Sequence, residues 1–323
     1  MSENEKDNPE AEEIEIAPIF EEDWGDDHRS GVVAVVGKPN AGKSTLVNYI
    51  LGQKIAIVTP TPETTRQNQM GIYTTDTVQI LFLDTPGIHD PHTKLGEYMV
   101  RAAQATFADA DVVLWVVDVS LYPTSEDRMI AEMLQKTITP VILAMNKSDL
   151  TSGDERNKRI LEYYTLLERD IEFLISATQG TDVDKLTAAL AERMPLGPRY
   201  YPKDQVSDQN LRFIAAEVIR ERIIVNTHDE IPHAVAVGID EFYEKDNGKF
   251  EIDATIYVER NSQKGIVIGK KGSMIKQLGI EAREELTKLF RHEVLLYLHV
   301  KVLPNWRSEE SLMKRFGYTT PGE

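Results

Sequence analysis

The sequence contains no cysteine, and this absence excludes several kinds of chemistry at once. Disulfide bonds, thiolate zinc sites and cysteine nucleophiles are ruled out for the 323 residues. The seven histidines show no paired metal-ligand spacing, so no zinc site is expected. The N-terminus is acidic and lacks the pattern of a signal peptide, so we expect a cytoplasmic protein.

Long hydrophobic runs are also missing. The longest apolar stretches, residues 112–117 and 32–36, are far below the roughly 18 residues that indicate a membrane span, so they predict buried strands. The remaining composition, 41% hydrophobic and 28% charged, is typical of globular proteins. The length is enough for about two domains, each with its own core.

The net charge of −17 is distributed unevenly. Residues 1–30 hold 12 acidic and 2 basic side chains, whereas residues 199–323 hold 20 acidic and 19 basic ones. The first segment has no amphipathic period and repels itself, so we predict an acidic, disordered, solubilising N-terminal extension at 1–30. The whole-chain charge therefore says little about the last third of the chain.

Two patterns of secondary structure divide the remaining sequence. Across residues 31–195, short β-branched runs alternate with helical patterns, which predicts an α/β domain with a mostly parallel sheet and flanking helices. The segments 67–76 and 78–84 predict a hairpin within that sheet. A proline-containing stretch without periodicity predicts a linker at 196–210.

The second pattern follows the linker. The order helix, strand, strand, short helical turn, helix, strand predicts a small α+β domain at 211–303, with a tail at 304–323. A strand is expected from His233. In the tail, Trp306 and Phe316 either pack locally or contact a partner.

A glycine-rich loop connects the first predicted strand to the first helix. It matches the GxxxxGK[ST] pattern, in which backbone N–H groups wrap a phosphate at a helix N-terminus. Lys43 supplies a positive charge to the β- and γ-phosphates and Ser44 a hydroxyl to magnesium. The predicted phosphate-binding residues are Gly37, Lys38, Pro39, Asn40, Ala41, Gly42, Lys43, Ser44 and Thr45.

Two further motifs end predicted strands. The sequence DTPG places the carboxylate of Asp84 near the magnesium and the N–H of Gly87 near a γ-phosphate, so that the loop senses this phosphate. The predicted switch II residues are Asp84, Thr85, Pro86, Gly87 and Ile88. Farther along, NKSD indicates a guanine site, because the Asp149 carboxylate can accept from N1–H and the exocyclic amine that adenine lacks. The predicted guanine-binding residues are Asn146, Lys147, Asp149, Ser176 and Ala177.

These motifs together resemble the translation-factor-related class of small GTPases, and the segment PTPETTRQNQMGIYT is similar to that of the Era family. The resemblance implies that Thr65 contacts magnesium and the γ-phosphate in switch I, with Thr64 as a close alternative. The implied magnesium ligands are Ser44, Thr65 and, through water, Asp84.

The second domain carries a glycine-lysine turn between two helical segments. Its glycines allow close approach to a sugar-phosphate backbone and its lysines supply countercharge, as in the GXXG loop of KH domains. From 259 to 276 the balance is five basic residues against one acidic residue, a local electrostatic footprint for RNA. The predicted RNA-binding residues are Ile268, Gly269, Lys270, Lys271, Gly272 and Ser273, with an apolar groove floor from Ile266, Ile268 and Ile275.

The order of elements around this loop is that of a type II KH domain, and the resemblance to Era now covers residues 31 to about 303. The resemblance implies a monomeric GTPase that binds the 3′ end of 16S rRNA and acts in maturation of the 30S ribosomal subunit. Family members also associate peripherally with the inner face of the cell membrane. The acidic extension departs from the family pattern, and an alternative interpretation makes it an RNA mimic that competes for the basic surface.

The sequence lacks the glutamine that many GTPases use in hydrolysis. In many switch GTPases a glutamine after DxxG orients the attacking water, but Ile88 stands in that place. Asn40 is located where similar GTPases use an asparagine oxygen to hold a monovalent cation, so we expect slow hydrolysis stimulated by potassium. The alternative is that Asn40 only shapes the loop.

Three functions of different classes remain open. The first is a GTP-driven switch that changes how the KH domain presents its groove and releases its assembly after hydrolysis. The second is an RNA chaperone whose nucleotide only stabilises the fold, and the complete set Lys43, Asp84 and Asp149 argues against it. The third is a membrane-associated signalling GTPase whose KH fold binds protein. Lys270 and Lys271 argue against it, because they supply positive charge for RNA.

Overall fold

The computed structural model describes residues 24–168, 171–245 and 247–319. Residues 1–23, which make up most of the predicted acidic extension, lie outside the described residues. Within the described ranges, no helix is both long enough and apolar enough to cross a membrane.

The first domain is built on a six-stranded sheet with the order β2-β3-β1-β4-β5-β6. Its strands are β1 Arg29–Val36, β2 Gln69–Thr74, β3 Val78–Asp84, β4 Val112–Asp118, β5 Val141–Asn146 and β6 Ile171–Leu174. Its helices are α1 Lys43–Leu51, α2 Lys94–Asp109, α3 Ser125–Leu134, α4 Gly153–Tyr164 and α5 Val183–Arg193, with a 3₁₀ turn at Ser148–Leu150. All neighbouring strands are parallel except β2 and β3, which form the predicted antiparallel hairpin. The predicted mostly parallel α/β sheet is confirmed.

Strand β1 shows why its sequence is apolar at almost every position. Val33 and Val35 belong to a core on one face of the sheet, whereas Ala34 and Val36 belong to a core on the other face. Helices cover both faces, so neither set of alternating side chains meets water. A continuous apolar run is therefore expected for a central parallel strand.

The sequence motifs collect at one edge of this sheet. The glycine-rich loop follows β1, Asp84 ends β3 and Asn146 ends β5. The Ser176-Ala177 pair follows β6. Because the carboxyl ends of parallel strands meet at the same edge, these loops face one crevice, which is where ligands bind in open α/β sheets.

The second domain is a three-stranded sheet covered by helices. Its elements are α6 Leu211–Asn226, α7 Ile231–Ala234, β7 Ala236–Glu244, β8 Phe250–Val258, α8 Asn261–Ile268, a 3₁₀ turn at Lys270–Gly272, α9 Ser273–Phe290 and β9 Val294–Val302. Strand β8 is central, antiparallel to β7 and parallel to β9. The predicted α+β order of a type II KH domain is confirmed.

Two local predictions in this domain need correction. The strand expected from His233 begins at Ala236, because Pro232 stands at the start of the short helix α7, where its fixed φ favours helix. The short helical turn expected before the GXXG loop is an eight-residue helix, α8. Its first turn is stabilised by Gln263, whose buried amide oxygen accepts from the backbone N–H groups of Glu259 and Arg260.

The tail connects the two domains. Trp306 is completely buried, and its indole N–H donates to the carbonyl of Ala234 at 2.8 Å. The tail helix α10 spans Glu310–Arg315. The interdomain core contains Leu95, Tyr98, Met99 and Ala102 of α2, together with Ala236, Tyr257, Trp306, Met313 and Tyr318. Of the two alternatives for the tail, the structure shows local packing, with Phe316 also against this core.

The predicted linker follows the outer edge of the sheet. The N–H of Ile72 donates to the carbonyl of Val206 at 2.9 Å, next to a bridge between Gly71 and Ser207. The side-chain oxygen of Gln79 accepts from the backbone of Tyr200 and Tyr201. The linker thus pairs with β2, the edge strand that would otherwise expose its backbone groups.

Candidate nucleotide and RNA sites

The glycine-rich loop makes a tight turn that side chains would obstruct. Gly42 has φ 98°, in the left-handed region, and a Cβ there would lie 2.2 Å from Nδ2 of Asn146. A Cβ on Gly37 would lie 2.3 Å from the carbonyl oxygen of Val116. Both positions therefore require glycine, and the loop can lie flat against a phosphate group.

Lys43 is held inside this loop. Its ammonium donates to the carbonyls of Gly37 at 3.1 Å and Lys38 at 3.0 Å. Burial lowers the pKa of Lys43 to about 8, and the nearby carboxylate of Asp84 opposes this shift. The β- and γ-phosphates of a nucleotide would restore the charged form, because an adjacent anion favours it.

Three oxygen-bearing side chains converge beside the loop. The hydroxyl of Ser44 donates to Oδ2 of Asp84 at 2.5 Å and lies 3.0 Å from the hydroxyl of Thr65. Among the described residues, Oδ1 of Asp84 is buried and lacks a hydrogen-bond partner. Burial destabilises the charged form of Asp84 and raises its pKa to about 6. A cation bound beside this carboxylate would stabilise the charged form. Hard oxygen donors of this kind fit magnesium.

The structure separates the two threonines of switch I. The hydroxyl of Thr64 donates to the carbonyl of Thr61 at 2.7 Å and lies 2.7 Å from the hydroxyl of Thr59. Only Thr65 of the pair reaches Ser44. The geometry therefore favours Thr65 over Thr64 as the ligand of magnesium.

Switch II lies directly against the glycine-rich loop. A Cβ on Gly87 would come within 2.6 Å of the backbone nitrogen of Pro39. The next residue, Ile88, is completely buried in the core between the sheet and α2, and its N–H donates to the carbonyl of Gly37. Thr85 is also buried, and its hydroxyl donates to the carbonyl of Val35. Ile88 thus anchors the segment and leaves Gly87 at the phosphate side.

The side chain of Lys38 points away from the phosphate position. Its ammonium forms an ion pair of 2.6 Å with the buried carboxylate of Asp127 in α3. The same oxygen of Asp127 also accepts from the backbone and hydroxyl of Thr124. Any contact of Lys38 with a phosphate therefore comes from its backbone, while its side chain fixes the loop to α3.

The predicted base site is formed by two strand-end loops. Asn146 donates to the carbonyl of Ala41 and accepts from the N–H of Ala177, both at 2.9 Å. Asn146 therefore ties together the loops that flank the base, and a guanine contact from Ala177 would share this N–H. Lys147 pairs with Asp118 at 2.6 Å, and Asp149 is exposed at the end of the loop.

The phosphate site opens into a cavity of about 490 Å³. Its walls include residues 57–60 and Glu63, none of which was predicted as a site residue, although Pro60 and Glu63 lie in the segment that is similar to the Era family. Nδ2 of Asn40 donates to the carbonyl of Pro60 at 2.8 Å, so the glycine-rich loop contacts this segment directly. Residues 57–59 carry no motif of their own, and the sequence indicates them only by their position between the glycine-rich loop and the Thr-Thr-Arg motif.

The GXXG loop also has a conformation that depends on glycine. Gly269 and Gly272 have φ values of 73° and 80°, and a Cβ on Gly269 would lie 2.7 Å from Met274. Lys271 adopts a φ of 54° between them. Lys270, Lys271 and Ser273 are exposed at the tip, where their charge and hydroxyl are available to a phosphate backbone.

A groove of about 320 Å³ lies beside this loop, between α9 and β9. It is lined by Ile275, Lys276, Gly279, Ile280, Arg283, Leu296 and Leu298. Apart from Ile275, sequence reasoning did not identify these residues. The other two predicted floor residues, Ile266, which is 50% exposed, and Ile268, which is partly buried, do not line this groove, because both lie on α8 and the groove is formed by α9 and β9.

The fold and both sites define the class of this protein: it is a P-loop GTPase with a C-terminal KH domain. A model of the 50S ribosome-binding GTPase family matches residues 32–147, and a KH domain model matches residues 230–307. These two matches correspond to the two domains of the structure.

Comparison with individual proteins identifies the family. The chain is 42% identical to the GTPase Era of Ruminiclostridium cellulolyticum over 293 residues, which is 91% of this chain and 98% of that protein. The chain belongs to the Era GTPase family.

Two solved structures resemble the whole chain. The crystal structure of Era in complex with MgGDPNP and nucleotides 1506–1542 of 16S ribosomal RNA is 37% identical, with a TM-score of 0.85 over 90% of this chain and 99% of that one. A tyrosine-to-alanine variant of Era from Aquifex aeolicus bound to GDP and AlF4⁻ is 36% identical, with a TM-score of 0.84 and the same coverage.

Proposed function

We propose that this GTPase is a switch that binds the 3′ end of 16S rRNA through its KH domain and acts in maturation of the 30S ribosomal subunit. The observation that carries the proposal is the exposed Lys270-Lys271 turn, which leads directly into α9, one wall of the groove between α9 and β9. Support also comes from the similar Era structure, which contains nucleotides 1506–1542 of 16S rRNA.

The RNA site combines two kinds of contact. The lysines of the GXXG turn attract the phosphate backbone, and the glycines permit its close approach. The apolar groove beside the turn accepts unstacked bases, which single-stranded RNA offers and a duplex does not. A single-stranded 3′ end is therefore the kind of RNA that this surface suits.

The nucleotide site binds GTP through three groups of residues. The glycine-rich loop and Lys43 hold the phosphates, Ser44, Thr65 and Asp84 hold magnesium, and Asp149 reads the base. The magnesium, when bound, neutralises charge on the β- and γ-phosphates. Thr65 and Gly87 then distinguish GTP from GDP, because only GTP presents a γ-phosphate to them.

Hydrolysis needs countercharge that the loop does not supply by itself. We propose that Asn40 helps to hold a potassium ion at this position. Its amide nitrogen Nδ2 donates to the Pro60 carbonyl, so the amide oxygen Oδ1 is the atom that would bind the ion, and oxygen atoms are the ligands that hard cations prefer. The same contact equally suits a loop-shaping role, so the two roles need an experiment that separates them.

The proposed RNA function is tested by replacing Lys270 and Lys271 together with Asp in the full chain. Because charge on an exposed turn is inverted, affinity for an oligonucleotide of the 16S rRNA 3′ end should fall by about a hundredfold or more, and the salt slope should decrease by about one to two. GTP affinity should be unchanged.

The control replaces two exposed lysines of the GTPase domain, Lys158 and Lys185, with Asp. This control variant carries the same change of net charge and should keep RNA affinity within about twofold of the parent. RNA affinity that falls equally in both double variants would make the effect one of overall charge and would refute the assignment of the GXXG turn.

A further inference from the structure

Two buried arginines flank Thr65, the residue that reaches Ser44 beside the phosphates. Arg66 is 3% exposed and Arg220 is 1% exposed. Arg66 belongs to the GTPase domain, whereas Arg220 lies on α6 of the KH domain. Burial of a guanidinium is costly unless its donors are satisfied, so the contacts of these two side chains indicate where they act.

Arg220 holds the backbone on the N-terminal side of Thr65. Its Nη2 donates to the carbonyl oxygen of Thr64 at 2.5 Å. Glu217, one turn earlier on α6, orients the guanidinium by accepting from Nε at 2.8 Å and from Nη2 at 2.5 Å. The buried charge is thereby paired with Glu217, and Nη2 also donates to switch I, whereas Nη1 is buried without a hydrogen-bond partner among the described residues.

Arg66 fixes the C-terminal side of Thr65. Its guanidinium donates to the carbonyls of Val235 at 2.7 Å, Pro232 at 2.9 Å and His233 at 3.1 Å, all in the KH domain. It also lies 5.7 Å from the ring centre of Trp306. Thr65 is therefore held between two anchors, and both of them depend on the KH domain.

The two arginines hold the backbone on either side of Thr65, whose hydroxyl must stay close to Ser44 to serve as a magnesium ligand. The Thr65 hydroxyl lies 3.0 Å from that of Ser44, in the group of oxygens that suits magnesium. A side chain attached to a loop keeps such a distance only if the loop backbone is fixed, because loops sample many conformations. The contact of Arg220 with Thr64 supplies this restraint one residue away.

We propose that Arg220 is a positioning residue of the nucleotide site: it fixes the Thr64 carbonyl and so holds the Thr65 hydroxyl beside Ser44 and Asp84. The inference rests on the proposed role of Thr65 in contacting magnesium and the γ-phosphate. It adds that the GTP-bound site is incomplete without a side chain of the KH domain. GDP lacks the γ-phosphate and depends little on Thr65, so Arg220 matters for the triphosphate state.

The test measures nucleotide affinity and magnesium dependence of the full-length Arg220→Ala variant. Loss of a charge-assisted hydrogen bond predicts about tenfold weaker binding of a non-hydrolysable GTP analogue and a similar rise in half-saturating magnesium, with GDP affinity changed less than about twofold. The control is Arg212→Ala, on the same helix, because Arg212 donates to Ile239 of its own domain and should leave both nucleotides unaffected.

Equal weakening for GDP and the analogue, or no weakening for either, would overturn the proposal, since a merely structural role affects both states. Arg220→Lys is the second variant if Arg220→Ala does not fold. The lysine keeps the buried charge but has fewer hydrogen-bond donors. Affinity for the GTP analogue should fall about threefold, and affinity for GDP should not change. A lysine variant without this selectivity overturns the proposal as well.

Thr65→Ala separates this inference from the proposed function. If Thr65→Ala leaves the affinity for the analogue and the magnesium dependence unchanged, the role of Thr65 itself is wrong. If Thr65→Ala weakens the analogue but Arg220→Ala does not, only the inference about Arg220 fails. The double variant should be no weaker than Thr65→Ala, because both substitutions remove the same contact.

Discussion

We expect the choice of base to depend on one exposed side chain, Asp149, in the 3₁₀ turn that follows β5. Asp149→Asn should reduce GTP affinity by about a hundredfold or more, because the carboxylate that accepts two guanine N–H donors is lost. Affinity for XTP should rise, since the new amide donates to the 2-oxo group that a carboxylate repels. Competition binding with GTP and XTP measures both changes.

The matched control is Asp154→Asn, another exposed carboxylate, in the first turn of α4. It should bind GTP and XTP as the parent does. An Asp149→Asn variant that still prefers GTP to XTP by the parental factor would remove Asp149 from the base site.

Asn40 gives a second prediction for a single residue. If Asn40 helps to hold potassium, single-turnover hydrolysis by the parent should be several-fold faster in potassium chloride than in matched sodium chloride, because the cation supplies transition-state countercharge. Asn40→Ala should lose this stimulation and retain GTP binding. Equal parental rates in the two salts, or full potassium stimulation in the variant, would leave Asn40 as a residue that shapes the loop through Pro60.

Motif spacing allowed the sequence to predict which residues lie near the nucleotide crevice, but it did not predict the direction of their side chains. The resemblance favoured Thr65 but kept Thr64 as a close alternative, because adjacent residues of a loop differ only in the direction in which the backbone points their side chains. Likewise, Lys38 stands in the phosphate loop, but its partner Asp127 is remote in sequence. Arg220 gave no signal, since its contact with Thr64 exists only after the domains pack.

We expect helices α8 and α9 with the intervening turn to form the RNA-binding element, and Gly279 of α9 lines the groove beside it. A Cβ at this position would lie 3.6 Å from Leu298, an ordinary contact, so a larger side chain would project over the groove. Gly279→Leu should weaken RNA binding about tenfold by occupying space meant for a base. The melting temperature should not fall, because replacing a helical glycine stabilises a helix by up to about 1 kcal/mol.

Gly279→Ala is the control for that prediction. Alanine gains the same helical stability but adds one methyl group, so RNA affinity should remain within about threefold of the parent. RNA binding by Gly279→Leu at parental affinity, in a variant that folds normally, would show that the groove between α9 and β9 does not hold bases.

At the element scale, alternating strands and helices were predictable because hydrophobic periodicity reports directly on which faces are buried. The hairpin of β2 and β3 and the helix-turn-helix around the GXXG loop both followed from this pattern. The start of β7 did not, because the sequence around Pro232 has β-branched neighbours that favour a strand while proline favours the first turn of a helix. The sequence did not predict the groove between α9 and β9, because these two elements come together only in the folded domain.

At the scale of the whole molecule, the two domains are joined by more than the linker. Trp306 packs in a core with residues of α2, and Lys54 of the GTPase domain pairs with Glu221 at 2.7 Å and Glu285 at 3.1 Å in the KH domain. The sequence did not predict this interface, because interdomain contacts leave no periodic signal. It places switch I against the KH domain through the contacts of Arg66 and Arg220.

Ultraviolet crosslinking in cells, followed by sequencing of the RNA attached to this protein, tests the proposed RNA function most directly. Crosslinks should be concentrated at the 3′ end of 16S rRNA, and they should be lost when Lys270 and Lys271 are both replaced with Asp. Crosslinks distributed in proportion to RNA abundance, or a 16S signal that survives the double substitution, would contradict it.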